Sequence, residues 1–304
     1  MPRVNWPALE YDAWKDTCET LHMWTQVVGK IRLALEPQVN HWWSVAQYVS
    51  TRGLTTGPIP VAGHACRLEL EFDFLDHALV VRTADGRIEH LPLSGLSVRQ
   101  FYEAVMAIVR RAGVDVRIWP MPVEVVNAVR FTEDRRATYD AESARRFWHV
   151  LLNAEAVLRR FRASFLGKVS PVHFFWGSFD LALTRFSGRA APPHPGGIPN
   201  LADWVVREAY SHEVSSCGFW PGAPGMEAAF YSYAYPEPDG YATYRIDVEG
   251  ARYDTTLREY LLPYATVRAA SDPDALLFAF LTRTFEAAMI QGRWDRKLER
   301  EARS

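Results

Sequence analysis

The sequence predicts an α+β protein that consists of two successive halves. Segments with strand-like patterns follow one another in clusters instead of alternating with helices, which is typical of α+β folds. A long amphipathic segment precedes the strand cluster in each half of the 304-residue chain. In addition, residues 40–60 resemble residues 173–193 in order and spacing. These observations predict two mostly antiparallel sheets, each flanked by helices.

The internal similarity predicts a tandem duplication. When the two segments are aligned, Trp43 coincides with Trp176, and a Thr-Arg pair and a Pro follow at equal spacing. The repeat period of roughly 130 residues corresponds to a domain and greatly exceeds the repeat length of a solenoid. We therefore expect an N-terminal α+β repeat over residues 1–132 and a C-terminal repeat, which carries the candidate site, over residues 133–304.

The composition is typical of a soluble globular protein. Hydrophobic residues make up 48% of the chain and charged residues 23%. The formal net charge is −2 with mixed signs, which argues against the basic face of a nucleic-acid-binding protein. The N-terminus lacks the apolar region of a signal peptide, and no apolar run reaches the length of a membrane span. We expect a cytoplasmic protein that binds neither nucleic acid nor membranes; its oligomeric state stays open.

The cysteine and aromatic contents further restrict the classes of protein to which this chain can belong. Cys18, Cys66 and Cys217 lie far apart and form no CxxC motif, which argues against a disulfide framework or a zinc knuckle. The chain contains 11 Trp, 13 Tyr and 16 Phe residues. Tyr and Trp fill cores but also line ligand sites, because each combines an apolar body with a polar tip. The aromatic residues therefore either line a pocket or fill the core.

The N-terminal half begins with a predicted amphipathic helix. Leu21, Trp24 and Val28 recur at three- and four-residue spacing within residues 11–35. Residues 41–51 are rich in Trp and Val, which predicts a strand.

Strands and a helix complete this half. Residues 67–76 alternate between apolar and acidic side chains, which predicts a half-buried antiparallel strand. The next two strands flank an Asp-Gly pair at 85–86, a strong hairpin signal. Ser97 is the predicted N-cap of a helix over residues 98–112, and Gly113 ends that helix.

The C-terminal half repeats this order of elements. Asp140 or Ser143 begins a second long helix, and Gly167 follows its end. Asp272 followed by Pro273 begins the last helix, since Asp is a good N-cap and Pro suits the first turn. A loop rich in Pro and Gly follows the first strand. The predicted strands of this half cover residues 173–186, 208–216, 228–235 and 244–248.

Three residues in this half are candidate catalytic groups: His173, His212 and Glu213. Two imidazoles and a carboxylate can bind zinc or iron, or can act as metal-free acid and base. Neighbours on a strand point to opposite faces, so His212 and Glu213 could share one ion only across a bulge or turn. A hydrogen-bonded pair that holds the sheet together is the structural alternative. We expect both histidines to be buried and to face one cavity, and we favour proton transfer over metal binding.

Six further residues are predicted to bind substrate. Two arginines lie where the first strand of this half becomes a Gly-containing loop, and a guanidinium fork suits a carboxylate or phosphate. An internal ion pair with a carboxylate is the alternative. Trp and Tyr side chains, including Tyr231, are expected to line the same cavity, whereas Cys217 is expected to be a small buried hydrophobe instead of a nucleophile. The predicted substrate-binding residues are Arg185, Arg189, Asp180, Trp176, Tyr210 and Trp220.

Three segments carry a resemblance to a known family. They are HFFWGSFDLALTRFSGR from His173, EAYSHEVSSCGFWPG from Glu208 and NHWWSVAQYVSTRGLTT from Asn40. With them the chain resembles an uncharacterised bacterial family known only as a domain of unknown function, over nearly its full length. The resemblance implies a single full-length unit and assigns no catalytic residue.

The sequence favours an enzyme or small-molecule-binding protein with an aromatic pocket in its C-terminal half. A non-catalytic interaction or structural protein is the alternative, and a metal-dependent enzyme that uses His173, His212 and Glu213 is a second one. No GxGxxG follows a strand and no GxxxxGK[ST] occurs, so neither a dinucleotide nor a P-loop site is predicted. The cofactor, the metal and the reaction stay open.

Overall fold

The computed structural model describes residues 6–61 and 67–298, and these form an α+β fold with two antiparallel sheets. The predicted fold class is thereby confirmed. The helices are α1 (Tyr11–Leu35), α2 (Val98–Arg111), α3 (Ala141–Ala163), α4 (Asp203–Ala209), α5 (Tyr264–Ala269) and α6 (Pro273–Gln291), with 3₁₀ segments at Asn40–Val45 and Arg296–Leu298. The strands are β1 (Tyr48–Val49), β2 (Gly53–Thr55), β3 (Ile59–Pro60), β4 (Arg67–Asp73), β5 (Ala78–Thr83), β6 (Ile88–Pro92), β7 (His173–Phe175), β8 (Asp180–Ala190), β9 (His212–Trp220), β10 (Ala229–Tyr235), β11 (Arg252–Asp254) and β12 (Glu259–Pro263).

The N-terminal sheet has the strand order β1-β2-β4-β5-β6, and β3 pairs with β4. Leu68, Leu70 and Phe72 of its central strand are fully buried on one face, as the alternation predicts. The strand is not half-buried, because Glu71 and Asp73 on the other face are also buried, in ion pairs with Arg82 and Arg52. The predicted hairpin at 85–86 connects β5 to β6. Helices α1 and α2 pack against each other.

Side-chain caps begin three helices where the sequence predicts them. Ser97 and Gln100 form a reciprocal capping box at α2, which Gly113 follows with a φ of 86°. Asp140 accepts a hydrogen bond from the Ser143 amide at the start of α3. Asp272 caps α6 in the same way, by accepting from the Ala275 amide. Each cap satisfies an amide that the helix itself leaves without a partner.

The C-terminal sheet is an antiparallel meander with the order β11-β12-β10-β9-β8-β7. Helices α3 and α6 cover one face of it. The edges of the two sheets meet where the amides of Gln47 and Phe174 donate to each other's carbonyl oxygens, at 2.9 and 2.8 Å. A continuous hydrophobic core contains residues from both halves. None of the helices in the described ranges is long and apolar enough to span a membrane.

The two halves share an order of elements, since a long helix precedes an antiparallel sheet and further helix follows it in each. The tandem duplication stays a prediction, as does the boundary between residues 132 and 133. Superposition of the two halves tests the duplication: Trp43 and Trp176 should occupy equivalent positions.

Two predicted strands around the cavity described below are wrong in detail. Residues 41–45 belong to a 3₁₀ segment, in which His41 and Trp42 adopt left-handed φ angles of 58° and 60°, and only Tyr48–Val49 of the predicted strand is a strand, β1. Residues 173–186 form two strands, β7 and β8, joined by a turn at which Phe179 has a φ of 61°. Short aromatic runs fit strands and irregular turns equally well, because periodicity needs several residues to become distinctive.

Residues 244–248 are irregular instead of forming a strand. The carbonyl of Tyr244 accepts a hydrogen bond from the Tyr260 hydroxyl, at 2.8 Å. This backbone group is therefore satisfied by a side chain and needs no neighbouring strand. The last two strands, β11 and β12, follow later in the chain.

Candidate functional site

A cavity of about 380 Å³ lies on the face of the C-terminal sheet that points away from α3. Alternate residues of β8, β9 and β10 form its floor, because successive side chains of a strand point to opposite faces. The 3₁₀ segment, α4 and the loop around Glu124 form the remaining walls. The floor residues are Asp180, Ala182, Thr184, Phe186, Val214, Ser216, Tyr231 and Tyr233.

The walls are mainly aromatic and aliphatic. The indole of Trp42 donates to the carbonyl of Val205 at 3.0 Å, and that of Trp176 donates to the carbonyl of Val45 at 2.8 Å. These hydrogen bonds satisfy the polar edge of each ring and leave the apolar faces to the cavity. Trp43 and Trp204 also line it.

One end of the cavity is acidic. Asp180 accepts hydrogen bonds from the hydroxyl groups of Ser178 and Tyr231. No described residue donates a hydrogen bond to the carboxyl group of Glu124, which also lines the cavity. Burial, followed by the nearby Asp180, raises the pKa of Glu124 to about 7. Burial also raises the pKa of Asp180, although its two hydroxyl donors oppose that shift.

Glu124 is held at this end by its backbone. It adopts a left-handed φ of 60°, and its amide donates to the carbonyl of Pro199 at 2.8 Å. The preceding Val123 is fixed by the buried Gln26 of α1, whose amide side chain pairs with the Val123 N–H and C=O, both at 2.9 Å. The side chain of Glu124 packs against Gly177, where a Cβ atom would lie 2.1 Å from its Oε1.

Tyrosine hydroxyl groups extend the polar end. Those of Tyr210 and Tyr233 are 2.7 Å apart, and the ring of Tyr233 stacks on that of Tyr231 with centroids 6.1 Å apart. Burial raises the pKa of Tyr210 to about 12, so this hydroxyl stays protonated at neutral pH. These groups can donate to a ligand or accept from it.

The opposite end contains His41. Its Nδ1 lies 3.0 Å from the carbonyl of Ala209, and its Nε2 lies 2.8 Å from Nζ of Lys168. A carbonyl can only accept and an ammonium can only donate, so His41 is the neutral Nδ1–H tautomer. Burial lowers the pKa of His41, in agreement with this assignment.

Three of the predicted substrate-binding residues line this cavity: Asp180, Trp176 and Tyr210. Trp220 instead lines a second cavity of about 750 Å³ on the far side of the acidic end.

The two cavities meet at a boundary that we call the acidic throat. Its residues, which line both cavities, are Glu124, Ser178, Asp180, Tyr210, Tyr231 and Tyr233.

The two predicted catalytic histidines do not touch each other directly, and the expectation that both are buried and face one cavity is wrong, because His212 is only half-buried and neither residue lines the cavity. His173 contacts Trp43 at 5.9 Å between ring centroids, Trp43 contacts His41 at 5.8 Å, and His41 contacts His212 at 5.5 Å. His173 is 1% exposed, and neither of its ring nitrogens has a partner among the described residues. Burial, with smaller contributions from Arg32 and Arg162, lowers the pKa of His173 to about 3. A joint catalytic role for the pair stays a prediction.

Glu213 points to the other face of β9, as the strand alternation requires. It accepts hydrogen bonds from Ser187 at 2.8 Å and from Nη2 of Arg189 at 2.6 Å. Arg189 also donates to the carbonyl of Arg293 at 2.9 Å, and it is about half exposed. The structure thus brings Glu213 and Arg189 together in an ion pair at the surface, away from the cavity.

Arg185 is buried beneath α3 and α6 instead of standing at the wall of the cavity. Its guanidinium carbon lies 3.5 Å from the ring centroid of Phe161 and 4.2 Å from that of Phe285. It donates to the Phe161 carbonyl and to the Ser164 hydroxyl. It contributes to the packing of helices on the sheet, as an internal arginine does.

Cys217 also faces the helices and keeps its proton. Its Sγ donates to the carbonyl of Leu183 at 3.6 Å, and burial raises the pKa of Cys217 to about 12. Since the thiolate is the nucleophile, this environment suits a structural residue. Among the described residues, no three His, Cys, Asp or Glu side chains are arranged to hold a metal ion.

Sequence reasoning missed Glu124, His41 and Tyr233. Glu124 is an isolated acid between prolines and valines, a context that carries no motif. His41 lay in a predicted strand. The alternation in AFYSYAY, residues 229–235, could have predicted that Tyr231 and Tyr233 share one face of a strand.

Comparison with known proteins identifies the family of this chain and no activity. No curated protein and no solved structure is similar enough to count as a match. The model of a family of unknown function, DUF5996, matches residues 6–300 and so covers nearly all of the fold and the whole cavity. The chain therefore belongs to this family.

Proposed function

We propose that the protein binds a small, largely apolar organic molecule in the cavity on the C-terminal sheet. The observation that carries this proposal is an aromatic cavity of about 380 Å³ whose polar groups converge at one end. Ligand sites typically combine a predominantly apolar lining with a few polar groups that fix orientation, in volumes of roughly 300–1,000 Å³. In this arrangement the apolar body of the ligand lies along the Trp side chains, and its polar end reaches Glu124, Asp180 and the Tyr hydroxyl groups.

An enzyme that transfers a proton is the second candidate. It is supported by the carboxyl group of Glu124, which lines the cavity and has a pKa raised to about 7. A group with such a pKa populates both protonation states near neutral pH, which suits a general acid or base. Asp180, held by Ser178 and Tyr231, would keep the neighbouring negative charge in place while Glu124 exchanges the proton.

A non-catalytic interaction protein is the opposing class. It would use exposed apolar surface to bind a partner. Although Trp204 is exposed, the buried ring of Trp176 and the convergent carboxyl and hydroxyl groups favour a small molecule over a partner protein. The metal-dependent alternative loses support, because Glu213 faces away from the histidines and pairs with Arg189.

Tryptophan fluorescence tests the binding proposal, because Trp42, Trp43 and Trp176 line the cavity. We expect small aromatic compounds to change the emission in a saturable way. Ala182→Leu, which places a larger side chain on the cavity floor, should weaken this binding by about tenfold or more. The matched control is Ala190→Leu, on the same strand but exposed. Equal binding by both variants would contradict the proposal.

A further inference from the structure

The charge of the cavity restricts the ligand. Two carboxyl groups line it, those of Glu124 and Asp180, and its lining contains no Lys or Arg among the described residues. His41, at the far end, is neutral because its Nδ1–H donates to a carbonyl and its Nε2 accepts from Lys168. The described lining therefore contributes negative charge and no positive charge. An anionic group would therefore be repelled at the end that contains Glu124 and Asp180, whereas the ammonium group of Lys168 lies behind His41 at the opposite end.

The half-buried carboxyl group of Glu124 can accept hydrogen bonds from a ligand. Asp180 is satisfied by Tyr231 and Ser178, whereas no described residue donates to Glu124. Partial removal of an ionised carboxylate from water is unfavourable, and an opposite charge offsets that cost. A ligand that brings its own cation and hydrogen-bond donors would complete this part of the site.

Aromatic rings add to the preference for a cation. Tyr231 and Tyr233 stand beside the two carboxyl groups, with their rings stacked. The faces of such rings carry partial negative charge and attract ammonium groups, especially where water is excluded. Carboxyl groups and aromatic faces therefore favour the same sign of ligand charge.

On the basis of the binding function proposed above, we propose that the ligand is an amine with an aromatic or aliphatic body. Its ammonium group lies between Glu124 and Asp180 in the acidic throat and donates to both carboxylates. Its apolar body extends along Trp43 and Trp176 toward His41. The second cavity, beyond the throat, then provides a polar path by which the charged end can reach solvent.

Binding of an ammonium group is coupled to the protonation of the throat. Asp180 on β8, Tyr210 after α4, and Tyr231 and Tyr233 on β10 share the throat with Glu124. The charged groups of the adjoining second cavity are Glu227, Arg252, Asp254 and Glu259. Glu124 has a pKa of about 7 without ligand and must ionise to hold a cation. The affinity for an amine should therefore rise by up to about tenfold per pH unit toward pH 7 and level off above it.

Three probes of similar size separate this inference from the binding proposal: 2-phenylethylamine, 2-phenylethanol and 3-phenylpropanoate. Their dissociation constants are measured by tryptophan fluorescence and by calorimetry at pH 8. We expect the amine to bind about tenfold or more tighter than the alcohol, and the carboxylate to bind weakest. If the alcohol binds as tightly as the amine, the amine inference is overturned and the binding function stands. If none of the three binds, both are overturned.

A charge variant provides the second arm. Glu124→Gln keeps the shape of the side chain and removes its charge, so it should abolish the preference for the amine over the alcohol, measured as the ratio of their two dissociation constants. Retained alcohol binding shows that the cavity is intact. The control is Glu249→Gln, an exposed position away from the cavity, which should bind all three probes as the parent does. An unchanged preference for the amine in Glu124→Gln would overturn the inference.

Discussion

The Cα of Gly177 lies so close to the carboxyl group of Glu124 that a Cβ atom at position 177 would stand 2.1 Å from Oε1 of Glu124. Real Cβ atoms do not approach an oxygen this closely, so a side chain at 177 must displace the carboxyl group. The same residue accepts a hydrogen bond through its carbonyl from His22 Nε2, at 2.8 Å. The turn between β7 and β8 is thereby fixed to α1 and leaves space for the acid.

Gly177→Ala should move Glu124 out of the throat. We expect a loss of the preference for 2-phenylethylamine over 2-phenylethanol and an unfolding free energy within about 1 kcal/mol of the parent, because the displaced atoms are the end of a flexible side chain. Fluorescence titration and urea unfolding measure the two effects. Alcohol binding serves as the control for an intact cavity. A variant that keeps its preference for the amine would show that the Gly177 contact does not position Glu124.

Glu124→Gln should also stabilise the protein at alkaline pH. The pKa of Glu124 is raised to about 7 in the folded protein, above its ordinary value. The unfolded state therefore loses this proton first, and stability decreases as pH rises from about 4.5 toward 7. At pH 8 the variant should be more stable than the parent by on the order of 2 kcal/mol. At pH 4 the two proteins should be about equally stable. Urea unfolding at the two pH values checks this; an equal difference at both would contradict it.

His173 should lower the free energy of unfolding at acidic pH. Burial lowers its pKa to about 3 in the folded state, so only the unfolded state gains this proton as pH falls below about 6.5. The stability due to a neutral His173 is complete above pH 6.5 and decreases by up to about 1.4 kcal/mol per pH unit between that value and 3.

Replacing His173 by Phe, which keeps an aromatic ring among Trp43 and Tyr48, should flatten the acid side of the stability curve. The measurement is urea unfolding between pH 4 and 7, with His149→Phe as the control, since His149 is exposed on α3. Equal acid slopes in His173→Phe and the parent would show that His173 does not titrate on unfolding.

Arg185→Lys should destabilise the fold without changing ligand binding. Lysine keeps the charge but loses the planar group that lies over Phe161 and Phe285, and it loses a hydrogen bond to the Ser164 hydroxyl. We expect a loss of about 2–3 kcal/mol in the free energy of unfolding. Arg189→Lys, at the half-exposed ion pair with Glu213, should cost about 1 kcal/mol or less. Weaker probe binding by folded Arg185→Lys would assign Arg185 to the site instead.

The fold class and most elements follow from local patterns in the sequence. The long helix α1, the alternating strand β4, and the caps of α2 and α6 each depend on residues within a few positions of one another. Such signals act through backbone conformation and one-sided burial, which neighbours in the chain largely determine. The 3₁₀ segment and the turn between β7 and β8 were harder to predict, because positive φ angles at His41 and Phe179 are stabilised by distant contacts.

The candidate site was predicted in part. Asp180, Trp176 and Tyr210 were expected to line a cavity and do so, because each lies in a segment whose general position the sequence indicated. The strand period also predicted that Glu213 and His212 point to opposite faces. That period alone could not show which face lies under the helices, so Arg185, on the same strand as Asp180, was expected at the wrong surface.

The sequence by itself determined an α+β chain that is rich in aromatic residues. Only the tertiary structure decided that Glu124, from the connection after α2, stands beside Asp180, and that His41 and Lys168 pair at the other end of the cavity. Glu124 and Asp180 lie 56 positions apart in the sequence, and His41 and Lys168 lie 127 positions apart. No local propensity connects residues so distant in the chain. Their approach follows from the packing of the sheets and helices and, for Glu124, from the hydrogen bonds between Gln26 and Val123.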